Sequence, residues 1–437
     1  MHVIGKGMAM EIELQYGKKG LLLQLPVNCK PTVIRKPKMP IIKDSQAAVA
    51  ESLAKATNSL SLLELAKKSK SASIVICDIT RPVPNHLFLR PMIETMISAG
   101  IKKEKICILV ATGLHRPNLG EELKELINDN WVIENIKIIN HNARDASEMR
   151  DLGVTSTRKT PVKINKNFID ADLKIVTGLV EPHFMAGYSG GRKVIAPGIA
   201  HEDTIRTFHN HKFVDDPFAS PCNFEKNPLH EEQLEIVKKI GQVFAFNTVI
   251  DEERNLSFVS FGHILDSHMA AVNYVRKYAE VPISRKFKTI VSSSAGYPLD
   301  KTFYQTVKSM VTALDILEKG GDLIIVSECS EGIGSHEFKA SQNRLVTKGV
   351  HSFLKEISQQ KLASIDEWQT QMQTKAMLIG NVFIYATGIK KEDYSYTGVT
   401  RIDNLTDAIA KSMLKNQSSE VAIIPEGPYV VPKYMPT

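Results

Sequence analysis

Short apolar runs that alternate with helical stretches constrain the fold of this chain more than any other feature. Runs at 74–77 and 106–111 have the length of buried strands, and helical periodicity follows each of them. This alternation predicts an α/β fold with mainly parallel, doubly wound sheets and flanking helices. Ligands bind beyond the carboxyl ends of the strands in such sheets. Four polar residues follow predicted strands and are therefore expected to share one cleft: Asp78, Arg81, His115 and His183.

The pattern indicates two α/β domains. An N-terminal domain is predicted over 1–282, and it begins with a β-hairpin whose turn is GKKG. The polar segment ISRKFK follows it, and a second alternation over 285–410 predicts the C-terminal domain. The Pro-rich tail at 415–437 is expected to return to the first domain.

Within the second domain, a helix is predicted at about 301–319. Gly320 and Gly321 are expected to separate this helix from a strand at 323–326. Two further helices are predicted between 335 and 375.

Composition narrows the class of protein. The chain has 437 residues, of which 43% are apolar and 24% charged, so a full core is possible. The net charge is +7, but lysine and arginine are scattered, which argues against nucleic acid as a partner and suits an anionic substrate. Five cysteines without a CxxC pair are expected to be reduced. No apolar run reaches about eighteen residues, so we expect a cytoplasmic protein without a membrane span.

The segment 181–211, EPHFMAGYSGGRKVIAPGIAHEDTIRTFHNH, concentrates four histidines and a glycine cluster. GGRK differs from the phosphate-binding loop pattern because no Ser or Thr follows Lys193 to hold magnesium, although loop amides can still bind an anion. His209 is a candidate metal ligand, yet no complete ligand set of recognised spacing surrounds it. From these residues alone, a functional site and an ordinary turn with capping histidines both stay open.

Four sequence blocks together resemble the nickel-dependent lactate racemase family, whose members interconvert the two hands of 2-hydroxy acids. The blocks are CDITRPVPN at 77–85, ATGLHRPN at 111–118, EPHFMAGYSGGRK at 181–193 running on to FHNH at 208–211, and GYPLDKTFYQTVK at 296–308. The resemblance spans most of the chain. It implies an isomerase that racemises lactate or a close analogue.

The resemblance also implies roles for individual residues. His115 and His183 match the acid–base pair of the family, each residue acting as base in one direction and as acid in the other. Arg81 and Lys308 match positions that bind the substrate carboxylate. Because Lys308 lies in the second predicted domain, the active site is expected in a cleft between the domains.

Two residues near Lys308 complete the expected substrate site. Gln305 matches a substrate-contacting position of the family, and Tyr304 lies beside it; both share a helix face with Lys308. Asp78 matches a position close to the cofactor, where it would either orient a histidine or hold Arg81. Both alternatives stay open for Asp78.

The cofactor implied by the resemblance is a nickel-pincer nucleotide, a pyridinium mononucleotide with two thio-carbonyl arms that grip Ni(II). Lys193 matches the lysine tethered to one arm, His209 matches the histidine that supplies a further nickel ligand, and Arg81 and Asp78 lie at cofactor-binding positions. The implied chemistry is hydride transfer from C2 to the cofactor and back to either face. Enzymes that build and load this cofactor are therefore implied partners.

Two other functions stay open at this point. Within the family, the chain could be a C2 epimerase of a sugar acid or a racemase of a larger 2-hydroxy acid, because the motifs leave the substrate side chain unspecified. In a different class, GGRK and the histidines could serve a phosphate-binding metallohydrolase. Only the metallohydrolase predicts that Lys193 carries no covalent adduct.

Overall fold

The computed structural model describes residues 10–436, which form two compact units. The central unit comprises Lys38–His209 and Asp216–Tyr278. The terminal unit comprises the described residues up to Pro37, the short segment Asn210–Asp215, and the chain from Ala279 onward. Along residues 10–436, no helix is both long and apolar enough to cross a bilayer.

The strands are numbered along the chain. They are β1 (Glu11–Leu14), β2 (Leu21–Gln24), β3 (Lys30–Val33), β4 (Ala72–Cys77), β5 (Ile106–Ala111), β6 (Lys137–Asn140), β7 (Met149–Val154), β8 (Pro161–Asn165), β9 (Leu173–Leu179), β10 (Pro182–His183), β11 (Gly187–Tyr188), β12 (Phe244–Ile250), β13 (Leu256–His263), β14 (Glu280–Ile283), β15 (Phe287–Ser293), β16 (Leu317–Val326), β17 (Asn381–Tyr385), β18 (Thr400–Arg401), β19 (Glu420–Ile424) and β20 (Val431–Tyr434).

The α-helices are numbered in the same way. They are α1 (Ser45–Ala54), α2 (Leu62–Lys67), α3 (Asn85–Ser98), α4 (Glu121–Ile127), α5 (Asn130–Asn135), α6 (Lys166–Ile169), α7 (Arg192–Ile195), α8 (Glu202–Phe208), α9 (His211–Asp215), α10 (Pro228–Ile240), α11 (Ile264–Ala279), α12 (Phe303–Thr312), α13 (His336–Lys348), α14 (Val350–Ile357), α15 (Glu367–Ile379) and α16 (Leu405–Lys415). Short 3-10 helices lie at Lys103–Lys105, Ala146–Glu148, Leu299–Lys301, Leu314–Ile316 and Lys391–Tyr396.

The central unit is built on a six-stranded sheet of order β13-β12-β9-β4-β5-β6. All neighbours are parallel except β12 and β13, which are antiparallel. Helices cover both faces of β4: Ile74 and Ile76 join the core formed with α1 to α3, and α7 packs near β4 and β9. A strand buried on both faces reads as a continuous apolar run, which explains why β4 and β5 were predictable.

The order of the strands reverses at β4. From β4 the chain proceeds to β5 and β6 on one side, whereas β9, β12 and β13 lie on the other side. Such a reversal creates a crevice at the carboxyl ends of the strands, where ligands bind in doubly wound sheets. The loops after β4 and β5 carry Asp78, Arg81 and His115, and the segment that follows β9 carries His183, Lys193 and His209.

The terminal unit is built on a second six-stranded sheet, of order β18-β17-β16-β15-β19-β3, in which every neighbouring pair is parallel. Its core joins Val291, Ile324 and Val421 to Leu14 and Leu23 of the β1–β2 hairpin. The α/β class and the parallel sheets predicted from the sequence are therefore confirmed.

The structure divides the chain differently from the predicted domains 1–282 and 285–410. Strand β3 pairs with β19 in register from Lys30 opposite Glu420, so the first part of the chain joins the sheet of the terminal unit. The tail at 415–437, expected to join the first domain, contributes β19 to that sheet and β20 as the partner of β14. Hydrophobic periodicity identifies a strand but does not specify which distant strand will pair with it.

Three local predictions in the terminal unit are wrong. The helix predicted at 301–319 ends at Thr312, because β16 already begins at Leu317. Gly320 and Gly321 lie inside β16, where four residues bulge between the pairs Phe287–Leu317 and Thr289–Asp322. Between 335 and 379 there are three helices rather than two, because the chain breaks at Gly349, whose φ is +77°.

Candidate active site in the central unit

Asp78 follows β4 directly and pairs with His115, which follows β5. Nδ1 of His115 donates to Oδ2 of Asp78 at 2.6 Å, and the hydroxyl of Thr80 donates to Oδ1 at 2.6 Å. Burial raises the pKa of the Asp78 carboxyl, but the electrostatic interaction and hydrogen bond with His115, the Thr80 hydrogen bond and Arg81 together bring that pKa below its usual value. Asp78 therefore stays ionised and holds the proton of His115 on Nδ1, which leaves the lone pair of a neutral His115 on Nε2.

Backbone contacts hold these two loops together. The amide of Ile79 donates to the side-chain oxygen of Asn118 at 3.1 Å, and the amide of Gly113 donates to the carbonyl of Gly198 at 2.9 Å. The loop after β5 is thus attached to the loop after β4 and to the segment that follows α7. The side chain of His115 remains exposed.

Arg81 forms an ion pair with a carboxylate that sequence reasoning did not identify. Nη1 of Arg81 donates to Oε1 of Glu181 at 2.9 Å, and the amide of Arg81 donates to the carbonyl of Asp78 at 3.1 Å. Glu181 is buried just beyond β9, and its amide donates to the hydroxyl of Ser189 at 3.0 Å. The available signal was its place at the start of the EPHF block, on the carboxyl side of a predicted strand.

His183 is the last residue of β10, at the start of the tight turn to β11, and is buried. Its Nδ1 accepts hydrogen bonds from the amides of Ala186 at 3.1 Å and Met185 at 3.4 Å. The two predicted catalytic histidines therefore have opposite environments at Nδ1, since a carboxylate accepts from His115 whereas two amides donate to His183.

Lys193 lies in α7, next to the fully buried Arg192. Desolvation inside the fold, followed by the positive charges of Arg81 and Arg192, lowers the pKa of Lys193 to about 7. With this pKa, about half of the lysine is a neutral amine at neutral pH, and a neutral amine is a nucleophile. The side chain therefore suits covalent attachment.

The GGRK turn is packed rather than open. Gly190 and Gly191 have φ values of +78° and +48°, and a Cβ on either would lie 2.7 Å from the side chain of Val180 or His268. The amides of Lys193 and Val194 donate to the carbonyls of Gly190 and Gly191 at 3.0 and 3.1 Å. These two amides are thus already bonded within the turn, which argues against the loop as a phosphate cradle.

His209 is buried at the end of α8, and its Nδ1 donates to the carbonyl of Ile205 at 2.9 Å. Burial, with a further contribution from the charge of Lys193, lowers the pKa of His209 to about 3. The ring is therefore neutral with its lone pair on Nε2, which is the arrangement of a histidine metal ligand. His211 differs, because its Nδ1 accepts from Nε2 of Gln371 at 2.9 Å within the terminal unit.

Electrostatic interactions and hydrogen bonds connect most of the predicted site residues of this unit. Arg81 and Glu181 both influence the pKa of Lys193, and Lys193 influences that of His209. Asp78 contacts both the loop of Arg81 and His115. Among residues 10–436 no group of three or more His, Cys, Asp or Glu side chains could hold a metal by itself. A metal bound here would need donors from a cofactor.

The other predicted residues lie on α12 in the terminal unit. Lys308 is buried, Tyr304 packs edge-on against Phe338 with ring centroids 5.1 Å apart, and Nε2 of Gln369 donates to the carbonyl of Tyr304 at 2.6 Å. Oε1 of Gln305 is buried without a hydrogen-bond partner among the described residues. An unsatisfied buried acceptor suits a ligand that donates a hydrogen bond.

Comparison with known proteins gives matches over most of the chain. A model of the lactate racemase N-terminal domain matches residues 16–220, and a model of the lactate racemase C-terminal domain matches residues 284–431. The lactate racemase of Thermoanaerobacterium thermosaccharolyticum is 31% identical over 435 residues, which cover 96% of this chain and 98% of that protein. The lactate racemase of Lactiplantibacillus plantarum is 30% identical over 391 residues, which cover 89% and 91%.

Solved structures give a similar result. The lactate racemase apoprotein from Thermoanaerobacterium thermosaccharolyticum superposes with a TM-score of 0.89 at 28% identity, covering 97% of this chain and 100% of that chain. A protein from Thermotoga maritima superposes with a TM-score of 0.66 at 18% identity, covering 92% and 100%, and this match supports the fold alone.

Proposed function

Because the chain belongs to the lactate racemase family and is therefore an isomerase, we propose that it interconverts the two enantiomers of lactate or a close 2-hydroxy acid analogue. The pair of His115 and Asp78 carries this proposal. It joins a base to a buried, ionised carboxylate at 2.6 Å where the strand order of the central sheet reverses. Arg81, in the loop of Asp78, supplies a cation for the substrate carboxylate.

Each step of racemisation requires a group that this chain supplies. Arg81 and Lys308 bind the substrate carboxylate, since cationic donors match its charge and geometry. His115 takes the hydroxyl proton on Nε2, and Asp78 stabilises the imidazolium that results. His183 acts on the same substrate oxygen, and Gln305 and Tyr304 contact the substrate from α12.

The residues present fit a nickel-pincer nucleotide. The lowered pKa of Lys193 makes the neutral amine available for a covalent tether, and His209 has its lone pair on Nε2 for nickel. The charge of Arg81 acts on Lys193, and the amide of Arg81 donates to the carbonyl of Asp78. When bound, this cofactor supplies an acceptor for the C2 hydrogen as hydride and returns it to either face. The protein contributes one metal ligand, so a complete protein ligand set is not required.

A phosphate-binding metallohydrolase fits less well. Two amides of the GGRK turn are bonded within the turn, and the described residues contain no metal-binding cluster. A C2 epimerase of a sugar acid or a racemase of a larger 2-hydroxy acid would use the same residues and would differ only in the substrate side chain.

The test is to express the chain together with the enzymes that build the cofactor, which we propose as its maturation partners. We expect the intact mass to show an adduct, peptide mapping to locate it at Lys193, and the loaded protein to racemise lactate. An unmodified Lys193 in an active enzyme would refute the cofactor assignment. The loaded protein is also assayed with a panel of 2-hydroxy acids. Activity on a sugar acid but not on lactate would show that the protein is an epimerase and not a lactate racemase.

A further inference from the structure

The turn that holds His183 determines which nitrogen of that histidine carries the proton. His183 pairs with Gly187 across β10 and β11, so a turn of three residues joins them. The amides of Ala186 and Met185 both donate to Nδ1, at 3.1 and 3.4 Å. A nitrogen that accepts these hydrogen bonds must present its lone pair, so the proton of neutral His183 lies on Nε2.

The peptide that donates to Nδ1 is held from its other side. The carbonyl of Met185 belongs to the same peptide unit as the amide of Ala186, and a trans peptide directs these two groups in opposite directions. Nδ2 of Asn227 donates to this carbonyl at 2.9 Å, and Asn227 is fully buried as the N-cap of α10. Arg192 donates to the next carbonyl, that of Ala186, also at 2.9 Å. The orientation of the turn is therefore set by residues outside it.

The two histidines consequently present different groups at Nε2. His115 donates from Nδ1 to Asp78, which leaves a lone pair on Nε2, whereas His183 has its proton on Nε2. A lone pair accepts the hydroxyl proton of a 2-hydroxy acid. An N–H group instead donates a hydrogen bond to the oxygen on C2, and it stabilises negative charge there as the proton leaves.

We propose that the two histidines divide the chemistry: His115 is the base, and His183 is a neutral hydrogen-bond donor to the oxygen on C2, with Asn227 as its positioning residue. This inference rests on the proposed racemase function. The substrate O–H bond breaks as an N–H bond forms at Nε2 of His115, while Asp78 remains ionised. The bound cofactor would accept the C2 hydrogen with both electrons of the C2–H bond, as hydride, so that C2 and its oxygen would become a carbonyl. His183 keeps its own proton throughout, which differs from the symmetric exchange implied by the family resemblance.

Nitrogen NMR of the full chain without cofactor tests the proton positions, because the shifts of the two ring nitrogens report which one is protonated. We expect the Nε2–H tautomer for His183, assigned by its loss in His183→Gln. In Asn227→Ser the serine retains an N-cap oxygen but lacks the amide donor, so we expect about a fivefold rise in the fraction of His183 protonated on Nδ1. Asn223→Ser, in the same loop, is the matched control and should leave this fraction unchanged. An Nδ1–H tautomer in the wild-type chain would overturn the proposal.

Activity of the loaded enzyme tests the division of roles. Glutamine can donate an N–H hydrogen bond but cannot accept a proton, so His183→Gln should retain at least about tenfold more kcat/KM than His183→Leu. At position 115, glutamine and leucine should be equally inactive. Equal loss in both variants of His183 would show that His183 must exchange a proton. Absence of racemase activity in the loaded wild-type chain would instead refute the proposed function, and the NMR result would still stand.

Discussion

Replacing Asp78 by asparagine tests the base most directly, because it changes charge and hydrogen bonding while nearly preserving shape. In the wild-type chain the carboxylate of Asp78 accepts from His115 and Thr80, each at 2.6 Å. An amide in its place can satisfy only one of these donors with its oxygen. If the amide nitrogen faces His115, Nδ1 must become the acceptor and the proton moves to Nε2, so the base is lost.

The expected magnitude follows from the role of a general base. A positioned base contributes about 10²- to 10⁴-fold to the rate, and Asp78→Asn should lower kcat/KM by that range. Thr80→Val is the graded control, because it removes one neutral hydrogen bond to the same carboxylate and should cost only about fivefold. The carboxylate of Asp78 also remains available to His115 in that variant.

The assay is racemisation of each lactate enantiomer by enzyme whose Lys193 adduct has been quantified, so that a loss of cofactor is not mistaken for a loss of base. Circular dichroism of the variant checks that the fold is retained. A loaded, folded Asp78→Asn enzyme within about threefold of wild type would refute the reasoning that Asp78 keeps the lone pair of His115 on Nε2.

Four further predictions concern the tether residue Lys193, the metal ligand, the residues that bind the substrate carboxylate, and the C2 hydrogen. Amine-reactive labelling of Lys193 should have its midpoint near pH 7, and Arg81→Ala should move that midpoint to higher pH because it removes a positive charge; an unchanged midpoint would exclude the charge effect. His209→Ala should lose nickel in metal analysis, whereas His211→Ala should retain it; equal retention would mean that His209 is structural. Arg81→Ala and Lys308→Ala should each reduce kcat/KM about ten- to hundredfold, because each variant loses one charge-assisted contact with the substrate carboxylate. Unchanged kinetics would show that the replaced residue does not bind the carboxylate. Racemisation in D₂O, followed by NMR, should retain hydrogen at C2, and extensive early incorporation of deuterium would falsify hydride transfer.

The sequence by itself determined the class of fold and most of its elements. The buried strands β4 and β5 contain the apolar runs 74–77 and 106–111 that predicted them. These features depend on residues that are close along the chain. The motif residues Asp78 and His115 could be assigned to one cleft because parallel strands end at the same edge of a sheet.

Only the tertiary structure decided which distant segments pair and how the site residues are oriented. The first strands and the tail join the terminal unit through β3 and β19, which lie nearly four hundred residues apart in the sequence. The ion pair of Arg81 with Glu181 and the support of the His183 turn by Asn227 also join distant parts of the chain. Local periodicity carries no information about such contacts, because they depend on the directions of side chains and peptide planes in the folded chain. For the same reason the sequence treats His115 and His183 alike, whereas the fold gives one a carboxylate and the other two amide donors.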